Sequence, residues 1–459
     1  MTDDPFSRDA TRRDFLRSGA AAGVGLGLTR FGFPATGPAS VARRRSPGQG
    51  VPVVAPPMDV VRMGIVGVGG QGTSHVDILL NVPGVEILAI SDVNEAHAER
   101  AAQLCVMAGR KRPTLYTRGP RDFERLCAEE TLDLVLTATP WEWHVPVCVA
   151  AMKSGKHAAT EVPASYTADG CWELVETAER TQKHCVMMEN CNYGRSELLV
   201  LNLVRQGVLG EVLHAEGAYL HDLRDVQHDD AEGLWRRAHQ IGRNGNQYPT
   251  HGLGPVANCL DINRGDRFDY VVSMSGPARG LKDWQRDHLA ATDPRAQERY
   301  VQGDVNITLV KTALGKTIVV THDVNLPRPY SRVNLVQGSK GLFMGYPDRV
   351  YVEGKSKKAH AWDDAKDWRD AHEHPLWRSE KIQQVRAGHG GMDFLEDYRL
   401  IQCLRQGVPT DMNVYDAAAV SSLTWATEQS VGGRSRPVEV PDFTRGKWKS
   451  TPAWPIVDA

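Results

Sequence analysis

From residue 60 onward, short apolar runs alternate with longer stretches in which apolar residues recur at helical spacing. Val60 to Val66 reads as a buried strand, and Ser74 to Leu80 as the helix after it. A second strand, Glu86 to Ser91, ends in Asp92. Helix Phe123 to Glu129, strand Leu132 to Ala138, helix Val145 to Ser154, strand His157 to Thr160, helix Asp169 to Thr181 and strand Cys185 to Glu189 continue the alternation. Continuous apolar strands separated by helices predict a parallel sheet covered on both faces. After Asn190 the pattern changes. Helix Gly194 to Gln206 and strand Val212 to Tyr219 lead into a polar loop, His221 to Gln247, which feeds the block Tyr248 to Val256 and then helical residues to Leu260. Alternating runs at Phe268–Met274, Val305–Thr312, Lys316–Asp323, Arg332–Gln337 and Gly341–Phe343 predict an antiparallel or mixed sheet. Residues 354–385 read as a polar, Trp-bearing surface excursion, and helices Met392–Arg405 and Val414–Gln429 close the pattern.

The predicted class is therefore α/β: an N-terminal Rossmann domain with a parallel sheet, plus a C-terminal α/β domain with a largely antiparallel open sheet. The expected boundaries are a leader over 1–42, a flexible Pro/Gly/Ser-rich linker over 43–58, a nucleotide domain over 59–190, a second domain over 191–435 and a tail over 436–459. A polar loop as long as 221–247 inside a compact domain is more often functional than idle.

Composition adds exclusions. Charge is nearly balanced, 54 Lys+Arg against 56 Asp+Glu, which gives no reason to expect nucleic acid or an acidic membrane surface as a partner. The eight Cys include no Cys-x-x-Cys pair, so buried thiols are expected, with neither a disulfide framework nor a metal site. The leader carries Arg12-Arg13-Asp14-Phe15-Leu16, then a Gly/Ala-rich stretch from Gly19 to Leu28 too short and weakly apolar to span a membrane. This pattern predicts export by the twin-arginine translocase, with small residues at Ser40-Val41-Ala42 for cleavage and a periplasmic or secreted destination. That route carries folded proteins, so a bound cofactor would travel inside.

The chemistry-bearing motif comes first in the nucleotide domain. Gly67-Val68-Gly69-Gly70-Gln71-Gly72 follows a strand and opens a helix. Gly67 permits the tight turn, Gly69 the approach of a pyrophosphate, and Gly72 close helix packing. An acid at the end of the next strand, Asp92, suits ribose hydroxyls and repels a 2′-phosphate, which favours NAD over NADP. Ligands gather at the carboxyl ends of parallel strands, which nominates Gln71, Gly72, Asp92, Trp141, His144, Glu161, Val162 and Asn190.

With these residues in place, the chain resembles the glucose–fructose oxidoreductase/inositol dehydrogenase superfamily over roughly residues 60–435. It departs from that pattern twice. Glu161-Val162-Pro163 stands where ordinary members have Glu-Lys-Pro, and Gln247 stands where they tend to have an Asp one turn before the site histidine. Both departures are similar to glycoside hydrolase family 109, the NAD-dependent α-N-acetylgalactosaminidases, as are Glu189-Asn190-Cys191, Trp235-Arg236 and the block Tyr248-Pro249-Thr250-His251-Gly252-Leu253-Gly254-Pro255. The resemblance implies NAD on Gln71-Gly72, Asp92, Trp141 to His144, Glu161-Val162 and Asn190. It implies sugar on Tyr219, Arg236, Tyr248, Pro249, Thr250, His251 and Tyr330, an active-site tyrosine at Tyr193, and a sheet face of the kind that often dimerises.

The chemistry implied by the resemblance is redox-assisted elimination. Hydride leaves sugar C3 for NAD⁺, the ketone acidifies the C2 proton, the C1 group departs, water adds, and the hydride returns. His251, Tyr248 and Tyr193 are the candidates for proton transfer, with base and acid left unassigned. Glu161 would orient hydroxyls or assist a relay, and Arg236 would hold the sugar or oppose enolate charge. The alternative reading is a periplasmic NAD(P)-dependent sugar oxidoreductase with tightly bound cofactor; valine at 162 argues against it.

Overall fold

The computed structural model describes residues 52–229, 233–379, 382 and 388–457, and the twin-arginine leader lies outside the described residues. The nucleotide half contains β1 (Val61–Val66), β2 (Val85–Ser91), β3 (Thr114–Tyr116), β4 (Leu134–Thr137), β5 (His157–Thr160) and β6 (Cys185–Met187). They form one parallel sheet in the order β3-β2-β1-β4-β5-β6. Its helices are α1 (Gly70–Leu79), α2 (Glu95–Met107), α3 (Phe123–Glu129), α4 (Trp141–Lys153) and α5 (Ala168–Thr181). The strand order reverses between β1 and β4, so a crevice opens at their carboxyl ends, where the glycine turn and Trp141 sit.

The pattern missed α2 and β3. The buried face of α2 is Ala98, Ala101, Ala102 and Cys105, small residues that give no strong apolar stripe, and β3 has only three residues. Helix α4 starts at Trp141, not at Val145, so Trp141 to His144 form its first turn. Pro146 lies in the second turn of this helix, where it removes the hydrogen bond to the Glu142 carbonyl oxygen, and in sequence it argues for a boundary.

The second half carries α6 (Arg195–Arg205), β7 (Val212–Leu220), α7 (Arg224–His228), α8 (Gly233–Gly242), α9 (Thr250–Cys259), β8 (Phe268–Ser275) and α10 (Gly280–His288). Then follow β9 (Asn306–Thr312), β10 (Thr317–Asp323), β11 (Leu335–Gly338), β12 (Gly341–Met344), β13 (Arg349–Val352) and β14 (Asp363–Asp364). The nine-stranded sheet runs β14-β13-β12-β11-β7-β10-β9-β8-β15, where β15 is Val438–Glu439, and only the β7–β10 pair is parallel. The predicted loop 221–247 thus contains two helices, α7 and α8. Its periodicity was hidden because the inward residues of α8 are Arg237, His239 and Gln240, all buried and all polar. Among its described residues, the excursion at 354–385 includes two short helices, α11 (Lys366–His372) and α12 (Pro375–Arg378), anchored by buried Leu376 and Trp377.

Helices α13 (Met392–Gln406) and α14 (Val414–Gly432) return to the nucleotide half, where α13 packs on α1, and α14 on α5 and β6. The tail is not an appendage. Its β15 extends the large sheet beside β8, and Trp454 is buried against Tyr193. The described part of the linker, from Pro52, lies against the body with Ala55 buried. All eight cysteines are free and buried, as their apolar settings predict. No helix among the described residues is long and apolar enough to cross a membrane.

Candidate active site

Gly67 holds φ at +80°, and a Cβ added at Gly72 would lie 1.9 Å from the Gly67 carbonyl oxygen, so the turn and the helix start approach as only glycine allows. No side chain caps α1 at its start. Asp92 accepts the Val68 N–H at 2.7 Å and the Asn94 N–H at 2.8 Å, which fixes its carboxylate beside the turn. This cradle fits a dinucleotide, with phosphate at the helix start and ribose at the acid.

The remaining nominated cofactor residues differ in availability. Gln71 is half-buried at the helix start, and Val162 is turned into the core, 3% exposed. His144 is buried with its ring nitrogens 2.8 Å from the carbonyl oxygens of Pro163 and Thr139. Burial lowers its pKa, and both ring nitrogens face carbonyl oxygens of strand-end loops, so the ring offers neither nitrogen to a ligand. Asn190 donates to Asp393 at 2.7 Å. Glu161, on the loop leaving β5, accepts from Val162 N–H and lies 2.9 Å from the His75 ring.

Above these strand ends the two halves form an aromatic cleft lined by Trp141, Tyr219, Arg236, Tyr248, Gln247 and His322 among others. Tyr219, at the end of β7, has its ring 4.8 Å from Tyr248, 5.2 Å from His251 and 6.2 Å from Tyr330. Its hydroxyl is 3.0 Å from His221 Nδ1. Trp141 stacks on Tyr248 at 5.8 Å and meets Trp235 at 5.1 Å, joining the two halves. Arg236 lies 4.3 Å over Trp235 and 6.0 Å from Trp141, a cation on two indoles. Tyr330 accepts from Arg332, itself paired with Glu197. Burial pushes Tyr219 up to about 12 and Tyr248 well above its ordinary value, so both phenols stay protonated at neutral pH.

His251 sits in the first turn of α9. Its Nδ1 is 2.7 Å from Oε1 of Glu189, a wholly buried carboxylate just past β6. No other hydrogen bond to the ring occurs among the described residues, so Nε2 is free. Sequence reasoning did not place Glu189 in the site. The signal was the adjacent glycine: a Cβ on Gly254 would meet Glu189 Cγ at 2.9 Å, so the glycine in α9 lets the carboxylate reach beneath the helix. Gln247, standing where an Asp was expected, is wholly buried and bonded to Gln302 at 2.8 Å and Gln240 at 3.2 Å, a structural role. The carboxylate for the histidine comes instead from the other domain. Glu189, Cys191 and His251 do bring potential ligand atoms within 4.8 Å of one another. Within this group His251 and Glu189 are joined by the 2.7 Å hydrogen bond, and burial holds the Cys191 thiol well above its usual range.

Of the block Tyr248 to His251, only the first and last residues face the cleft. Pro249 and Thr250 are buried. Tyr193 is a correction. The structure leaves it outside the cluster, with its hydroxyl donating to Asp411 at 3.1 Å, its ring against Trp454, and Arg399 pairing with the same Asp411.

A parallel doubly wound nucleotide domain, a glycine cradle with Asp92 and an open sheet carrying His251 define an NAD-binding oxidoreductase fold. Residues 61–189 match the oxidoreductase family with NAD-binding Rossmann fold, and residues 193–450 match the C-terminal domain of glycosyl hydrolase 109. The chain belongs to glycosyl hydrolase family 109. A family-109 protein from Shewanella sp. (strain W3-18-1) is 48% identical over 98% of this chain and 99% of its own length, as is one from Shewanella putrefaciens. Among solved structures, an NAD binding oxidoreductase from Klebsiella pneumoniae and a levoglucosan dehydrogenase in complex with NADH and L-sorbose each superpose with a TM-score of 0.65 at 18% identity. Each alignment covers 84% of this chain and 100% of the other. The cofactor is NAD, and the protein is a glycosidase of the NAD-using kind.

Proposed function

We propose that the protein is an exported, retaining glycosidase that cleaves terminal α-N-acetylgalactosaminides with no net oxidation. The observation that carries this reading is the Glu189–His251 pair facing two protonated phenols. NAD supplies a reversible hydride acceptor for sugar C3. Glu189 accepts the Nδ1 proton of His251, which leaves the Nε2 lone pair to take the C2 proton. Glu161 takes the C3 hydroxyl proton as hydride leaves C3, and Tyr248 and Tyr219, held protonated, donate to the C3 carbonyl oxygen and to the departing glycosidic oxygen. Arg236 opposes the negative charge that develops after C2 deprotonation. Water then adds to C1 and yields its proton to the tyrosine that protonated the leaving group, the His251 proton returns to C2, and C3 recovers both its hydride and its hydroxyl proton. No pair of flanking carboxylates is required, unlike most glycosidases. Export in the folded state suits this cycle, because the cofactor never has to exchange.

The test uses the purified protein, an aryl α-N-acetylgalactosaminide, deuterated water, and no added NAD or acceptor. Release of the phenol with deuterium at C2 is expected. No release, together with acceptor-dependent oxidation of the sugar, would assign the chain to sugar oxidoreductases instead.

A further inference from the structure

Beneath the cleft lies a buried set of ionisable groups of which the cycle above uses only Glu161. His75, on α1, has no solvent exposure. Its Nδ1 lies 3.0 and 2.9 Å from the two carboxylate oxygens of Asp397 on α13. Its Nε2 lies 2.9 Å from Oε1 of Glu161. A ring with a carboxylate on each nitrogen satisfies both only as an imidazolium, donating from both sides. Burial opposes that charge, but Asp397 and Glu161 together hold the histidine pKa well above its ordinary value.

The charged surroundings are few. Asp393 on α13 is bonded by Asn190 at 2.7 Å and by His389 at 2.8 Å, which keeps it ionised despite its burial. Glu396, also on α13, is buried with neither oxygen partnered among the described residues. Burial, with the Glu161 charge next, pushes its carboxyl well above the usual range, so it is a neutral acid. Glu161 itself keeps some access to the cleft, 15% of its side chain. Burial resists its ionisation, and His75 with the Val162 N–H more than offsets that. A carboxylate this deep is costly unless paired, and breaking such a pair strands the charge.

We propose that Asp397 and His75 form a positioning couple for Glu161: Asp397 holds the imidazolium, and the imidazolium holds Glu161 as an aimed, ionised carboxylate at the floor of the cleft. The purpose assigned to that carboxylate rests on the glycosidase reading. It accepts hydrogen bonds from sugar hydroxyls and favours the cationic, oxidised nicotinamide over the neutral reduced one. The couple itself stands on geometry alone.

Two measurements test it, and they fail separately. Nitrogen NMR of histidine-labelled holoenzyme, with the His75 signals assigned by their loss in His75→Gln, should show both ring nitrogens protonated at pH 8. A single neutral tautomer at that pH would overturn the couple, whatever the enzyme hydrolyses. In aryl-glycoside hydrolysis, His75→Gln and Asp397→Asn should move the acidic limb of the kcat profile up by about one pH unit. They should also cut kcat about tenfold or more with KM nearly unchanged, since the lost group acts through Glu161. Adding His75→Gln to Glu161→Gln should cost nothing further. An unmoved pH profile in a folded variant, or full additivity with Glu161→Gln, would reduce His75 to a structural residue.

Discussion

His251 takes its orientation from Glu189, 62 residues earlier in the chain, and not from its own helix. Glu189→Gln keeps the shape but removes the charge that steadies the imidazole. Turnover of an aryl glycoside should fall about 10²-fold while KM changes little. Steady-state kinetics beside a thermal melt check this; an unchanged kcat would remove Glu189 from the machinery. Tyr193 belongs to a different set of contacts. Tyr193→Phe deletes one donor to Asp411, which should cost about 1 kcal/mol of stability and leave kcat within a few-fold. A hundredfold loss of activity would return that tyrosine to the site. The resemblance of the block Tyr248 to Pro255 to glycoside hydrolase family 109 made His251 and Tyr248 legible. It did not reveal that Tyr193 faces Asp411, because side-chain direction after a strand end depends on what packs above it.

At the scale of elements, the glycine turn and α1 form one device. Gly72→Ala places a Cβ 1.9 Å from the Gly67 carbonyl oxygen, so the turn must open and the phosphate cradle with it. The variant should purify with little bound nucleotide, read by releasing and quantifying NAD after denaturation. Retention of a full complement would show that the cradle does not need this approach. Five of the six strands of the nucleotide sheet were legible because each is a largely apolar run between helices; β3, only three residues long, was not. Helix α8 was not, because its work is to present Trp235 and Arg236 to the cleft while polar residues fill its inner side. Function had replaced the periodicity that sequence reading depends on.

The whole molecule carries several buried neutral histidines. Burial holds His157 and His239 down to about 3, and His184, His322 and His374 down to about 4. Each group gains a proton on unfolding below about pH 6.5, its ordinary range. Its contribution is therefore complete above that pH and lost as pH falls toward the folded value, by up to about 1.4 kcal/mol per pH unit and group. His75 runs the other way, contributing fully below about pH 6.5 and losing ground as pH rises through its raised folded value. The outnumbering neutral set should dominate, so melting temperature should drop steeply between pH 6.5 and 4.5 in a calorimetric pH series. A flat profile would show that these rings gain protons without unfolding. The sequence by itself determined the two-part α/β plan, the NAD cradle and the family, because periodicity, glycine placement and a long motif are local properties of the chain. Only the tertiary structure decided which residues meet. Glu189 reaches His251, His75 joins Asp397 to Glu161, and the C-terminal helices and tail return to complete the body. These are contacts between groups far apart in sequence, set by how the two halves pack, and no local spacing encodes them.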